Sequence, residues 1–234
     1  MLTFEDGTQL LKESFSEGNY PFIECKPELI SKIHVSTDPA NFKGHNEVSE
    51  IFKIAAEESN LDFDTSLTGR KSELPDPETV ITITKTIAIA LGLIKTKIPE
   101  KIGEAIGEDL VKIYKMISAL AVQIIKRAVP SNRPKNFVIE FPNEECIVEL
   151  VITTHIADRV LQSLTKEKLD VVHRKMVQLS NLNPEKVQFI FSKEDQWEFN
   201  YLLSKDGSVV GQIKSFSKRN ELYNQILKAQ EERG

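Results

Sequence analysis

Residue types that can carry chemistry are sparse in this chain, and one short run holds the most suggestive of them. Asp206 lies in Lys205, Asp206, Gly207, Ser208, and the tripeptide Gln212, Ile213, Lys214 follows. Alternation along a strand puts Gln212 and Lys214 on one face. There an oxygen ligand could help hold a divalent cation while the lysine offsets charge developing on a phosphate. Asp206 also has a competing local role, because Gly207 can supply the positive φ of a tight hairpin turn. His155 is the remaining catalytic candidate: Asp158 follows closely, and a carboxylate can orient an imidazole as a base. A surface or capping histidine is the commoner outcome of such a pattern.

Other constellations point away from enzyme chemistry. The chain has no GxxxxGK[ST] loop, GxGxxG turn, GxSxG elbow or HExxH helix, which disfavours nucleotide hydrolysis, dinucleotide hydride transfer and zincin chemistry. His34, His45, His155 and His173 occur singly, and Cys25 and Cys146 belong to no CxxC or Cys/His cluster. No metal or other cofactor is expected from them. Glu140, Glu144, Glu145 and Glu149 gather around one predicted hairpin, where they read as a solvated strand face. Lys126, Arg127, Arg133 and Lys135 form a candidate anion-binding patch for phosphate or a lipid headgroup. Cations at a helix C-terminus are also favoured by the helix dipole, which suffices to explain them. Asp206 with Gln212, Ile213 and Lys214 resembles the acid and [DEQ]xK tripeptide of metal-dependent nucleases. That resemblance implies magnesium-assisted cleavage, with Gln212 standing where the tripeptide usually has an acid.

Behind these residues stands a chain of 234 residues with 40% apolar and 28% charged content and a net charge of -5. It is long enough for a sizeable core without staples. Its negative charge makes general nucleic-acid binding an unfavourable expectation. Three regions are expected: an N-terminal α/β region over 1–72, a central helical region with a β-hairpin over 73–183, and a C-terminal β-meander and helix over 184–234, the last two packing as one domain in an alternative reading. The predicted fold class is α+β: a central long helix with an antiparallel hairpin, and a three-stranded antiparallel meander followed by a terminal helix.

The elements behind that expectation differ in clarity. Residues 8–15 carry a short helical pattern, 32–36 a strand pattern, and 47–59 a helix ending at Asn60. Gly69 and two prolines mark 67–77 as a linker. In 79–91 a β-branched alternation competes with a helical stripe (Val80, Ile83, Ile87, Leu91), and Asp76-Pro77-Glu78 as a helix start favours helix. Ile106, Leu110, Ile113, Ile117, Leu120, Ile124 and Ala128 predict a long helix. Phe137–Phe141 and Cys146–Thr153 read as a hairpin, 156–182 as helix interrupted near Thr165, and 187–192, 197–204 and 208–216 as strands. Ser217 would cap a last helix.

The function these features favour is a non-catalytic binding or regulatory module acting through protein-protein interaction. Homo-oligomerisation through the long helix is a further expectation. Two alternatives stand beside it: a membrane-active effector using the apolar helices of 78–129, and a metal-dependent nuclease-like enzyme using the C-terminal meander. Without a basic, apolar leader in the first residues, a cytoplasmic location is the expectation. The order of elements across 47–164 is similar to small effector-associated adaptor domains of bacterial conflict systems, an analogy of order without a diagnostic motif.

Overall fold

Val148, Leu150 and Ile152 alternate with Ile147, Glu149, Val151 and Thr153 along one strand, and burial follows the alternation. The same period of two recurs in the neighbouring strands and organises the molecule around a sheet. The structure, a computed structural model, describes residues 2–14, 33–67, 78–95 and 100–213. Ten strands are described: β1 (Leu2–Thr3), β2 (Gln9–Ser14), β3 (Ile33–Thr37), β4 (Asp64–Leu67), β5 (Glu78–Ile83), β6 (Lys135–Asn143), β7 (Cys146–Thr154), β8 (Pro184–Phe191), β9 (Trp197–Ser204) and β10 (Ser208–Gln212). They form one mixed sheet in the order β1-β2-β10-β9-β8-β7-β6-β5-β3-β4. The helices are α1 (His45–Ser59), α2 (Lys85–Ala90), α3 (Glu100–Arg127), α4 (Asp158–Ser163) and α5 (Lys166–Leu179).

This architecture corrects the expected fold class. A central long helix with a hairpin and a separate C-terminal meander is not what the chain adopts. The hairpin β6-β7 and the meander β8-β9-β10 are continuous, because β7 pairs with β8 in parallel. Parallel neighbours need a long crossover, and α4 with α5 supplies it. On the far side β10 pairs with β2, so the first described strands close onto the last. The helical reading of 8–15 is thereby overturned: Gln9–Ser14 is a strand pairing with both β1 and β10. The lean toward helix over 79–91 is corrected as well. Its first half is β5, held between β3 and β6. Its second half is α2, where the Thr84 hydroxyl accepts from the Ile87 amide at 3.4 Å and starts the helix.

All five described α-helices contribute to one core that includes a sheet row running from Val35 through Ile81, Ile139, Leu150 and Phe189 to Phe199. α3 spans 28 residues, ~42 Å at 1.5 Å per residue. It buries Ile113, Met116, Ile117, Leu120 and Ile124. α1 packs beside α3 with Val48, Ile51, Phe52 and Ala55, and Asn60 ends it in the left-handed region. Phe199 meets Phe4 edge-on at 5.4 Å and Phe189 at 6.0 Å. The indole of Trp197 donates to the Ser163 carbonyl at 2.9 Å, which fixes α4 on the sheet. Among the described residues no helix is long and apolar enough to cross a membrane. Of the expected linker at 67–77, Leu67 ends β4 and the rest lies outside the described residues, as do Cys25 and the expected terminal helix.

Candidate functional site

The catalytic candidates among the described residues do not meet. Asp206 sits in the β9-β10 turn, where its carboxylate accepts from the Ser208 amide at 3.0 Å, from the Ser208 hydroxyl and from Lys12 Nζ at 2.9 Å. These bonds from Ser208 and then Lys12 hold its carboxyl far below the usual range. Gly207, at φ 78°, provides the turn. Gln212 is buried, and its amide donates to the Phe199 carbonyl at 2.7 Å. Strand rise puts about 13 Å between Ser208 and Gln212, so Asp206 and Gln212 serve opposite ends of β10. Lys214 lies outside the described residues. His155 and Asp158 are both exposed, with no hydrogen bond between them. In the basic stretch, Arg127 forks onto Glu50 at 2.8 and 3.3 Å. Lys135 is buried and donates to the Pro130 carbonyl at 2.7 Å. Lys126 remains exposed and Arg133 half-buried. Among the described residues no three His, Cys, Asp or Glu side chains gather as a metal site.

Strand pairing instead assembles a row of polar residues on the face of the sheet opposite to the helices. His34 pairs with Thr82, Thr82 with Glu140, Glu140 with Glu149, Glu149 with Gln188 and Gln188 with Tyr201. Directly paired residues share a face, so these six form one line across six strands. A bulge in β9 sets both Asn200 and Tyr201 against Gln188. Glu149 accepts from Lys186 at 2.6 Å and from Gln188 at 2.8 Å, and Asn200 donates to Gln188 at 2.7 Å. Flanking rows are mainly apolar: Val80, Val138, Val151 and Ile190 on one side, Ile147 and Leu203 on the other.

The expectation of a solvated face fails for Glu140 and Glu149, the latter with a side chain only 12% exposed, and holds for Glu144 and Glu145, which are exposed. Burial raises the Glu140 carboxyl above its ordinary value; Lys186 counters this, and the charge and hydrogen bond of Glu149 add to it. Burial also raises the Tyr201 phenol, with the Glu149 charge contributing. For Lys186 burial pulls downward, but the hydrogen bond and charge of Glu149, with Tyr201 and Glu140, prevail and raise it.

On the helix side lies a cleft of about 690 Å³ between α2, the segment Leu93–Lys95, the tip of the β6-β7 hairpin and α5. Its lining is mostly apolar, with Ile89, Ile94, Phe141, Val172, Met176 and Val177 among the wall residues. Val177 is 73% exposed. His173 Nε2 donates to the Leu93 carbonyl at 3.0 Å and ties α5 to that segment, given this tautomer. Its Nδ1 is buried without a hydrogen-bond partner, 3.8 Å from Asp170 Oδ1. Burial pushes the Cys146 thiol up to about 11, with the Glu144 charge contributing, which makes it a poor nucleophile.

Neither assembly was found by reading the sequence. The row depends on strand order, and the cleft joins residues from Lys85 to Pro184. The chain matches no family model, no curated protein and no solved structure.

Proposed function

We propose that the protein is a non-catalytic binding module that receives a segment of a partner protein in the cleft between α2, the hairpin tip and α5. The observation that carries this reading is the cleft itself. Its volume falls in the range of ligand-holding sites, roughly 300–1,000 Å³, and its lining combines apolar walls with a substantial share of polar and charged side chains. Polar groups on the opposite sheet face bond to one another, which is the behaviour of a structural network. In the cleft, by contrast, Val177 offers apolar surface at the mouth.

A photo-crosslinking residue at Val177 tests the reading in extract from the native cell. The expected result is an adduct of discrete mass that disappears when Ile94→Glu is added to close the apolar wall. No adduct, or one indifferent to Ile94→Glu, removes the cleft as a binding site. A second reading, self-association through α3, is favoured by Val111 and Val122, exposed at 55% and 44% on one side of that helix. A crosslinker at Val111 then yields an adduct of twice the chain mass, and an exclusively monomeric product excludes it.

A further inference from the structure

Four fully charged side chains line the cleft: Lys85, Lys95, Glu144 and Glu145. Two are neutralised within the fold, Lys95 by Asp170 at 3.5 Å and Glu145 by Lys205. Glu144 and Lys85 are exposed and make no hydrogen bond or ion pair with a described residue. Unpaired charges of both signs beside apolar walls define what fits, since complementary charge selects among partners of similar apolar content.

Glu144 carries a second peculiarity. Asn143 and Cys146 are the last pair of the hairpin, so Glu144 and Glu145 alone form its loop. Two-residue hairpin loops favour glycine and asparagine, which tolerate positive φ. Here Glu144 holds φ 55°. A left-handed conformation is costly for a residue with a Cβ and a long side chain. Among the described residues that carboxylate makes no hydrogen bond or ion pair in return, and a backbone outlier without such compensation points to a functional position.

We infer that the occupant of the cleft is a partner segment carrying a lysine or arginine beside its apolar residues, received by Glu144, with an acidic residue answering Lys85. Glu144 is thus the specificity determinant of the site. This rests on the cleft being the binding site, and the two can fail separately.

A random peptide library displayed on phage, selected on the purified full chain, is the probe. Binders to the native protein are expected to combine apolar residues with Lys or Arg at a constant offset. Selection on Glu144→Lys, which keeps an unbranched side chain in the same backbone conformation, is expected to replace that base by Asp or Glu. A peptide from the first selection should lose roughly fivefold in affinity for Glu144→Lys, as an exposed pair allows, and recover on carrying the opposite charge. Peptides that compete with the Val177 crosslink but show the same charge pattern on both proteins overturn the inference and leave the cleft standing. If no selected peptide competes with that crosslink, the cleft reading itself falls and takes the inference with it.

Discussion

The β6-β7 hairpin places acids in two settings. Midway along it, Glu140 and Glu149 face each other across the strands; at its tip, Glu144 and Glu145 form the loop and border the cleft. The inner pair is half-buried and bound into Lys186, Gln188, Asn200 and Tyr201 by bonds and charge. At the tip, Glu145 pairs with Lys205, while Glu144, in a left-handed conformation, makes no hydrogen bond or ion pair with a described residue. Charge withdrawn from water needs partners inside the fold. At the tip an exposed charge makes no bond to a described residue and stands at a conformational cost, and the partner segment proposed above is what would answer it.

The largest expected effect breaks the inner setting. Lys186→Met leaves Glu149, 12% exposed, beside Glu140 with no ammonium to offset either. Removing one member of a buried pair costs about 3–5 kcal/mol, and the Lys186 side chain, 33% exposed, brings the expected loss to about 2 kcal/mol. Urea unfolding followed by circular dichroism measures it. Adding Glu149→Met should recover most of the loss, because an apolar pair of similar volume can replace an ion pair. A single variant as stable as the native chain would mean that the row holds nothing together.

Glu144→Gly has a smaller effect of opposite sign. Glycine adopts φ 55° without the Cβ penalty. The substitution is expected to stabilise the protein by about 1 kcal/mol, read as a shift of the urea midpoint at unchanged slope, while peptide binding weakens. Stability gained at the expense of binding is the mark of a strained functional residue. Unchanged stability would show that the turn accommodates glutamate freely, and would remove the strain from the comparison.

Much of the local structure was legible, for physical reasons that also explain what was missed. The stripe from Ile113 to Ile124 marks α3 whatever it packs against, and Gly207 marks its turn through backbone sterics alone. Residues 79–91 carry both periods because the chain changes state at Thr84, so a single assignment had to fail. Leu10 and Leu11 gave residues 8–15 a helical look, yet that stretch is held as a strand by a neighbour almost two hundred positions away. Strand alternation told which side Glu149 takes, but not that Gln188 and Lys186 on β8 would meet it there. Asp206, Gln212 and His155 had the right residue types; strand rise along 208–212 already separates the first two, whereas the distance of His155 from both depends on strand order. The cleft had no readable sign, because Asn143 between the two predicted strands looked like a turn residue and only the pairing of Asn143 with Cys146 leaves Glu144 and Glu145 as the loop.

The smallest expected effect is a slope with pH. Glu140 holds its proton more tightly in the folded chain than in the unfolded one, because burial and the nearby Glu149 disfavour its charge more than Lys186 favours it. The unfolded chain therefore releases that proton first as pH rises past the ordinary value of 4.5. Native stability from this group is complete below that value and declines until the raised folded value is passed. Glu140→Gln, a neutral residue of nearly the same shape, removes the titration: it should match the native chain in acid and exceed it in melting temperature near neutrality. Thermal melts of both proteins across mildly acidic to neutral pH decide the matter. Parallel curves would mean that Glu140 is solvated after all, and the contrast between the middle and the tip of the hairpin would reduce to backbone conformation.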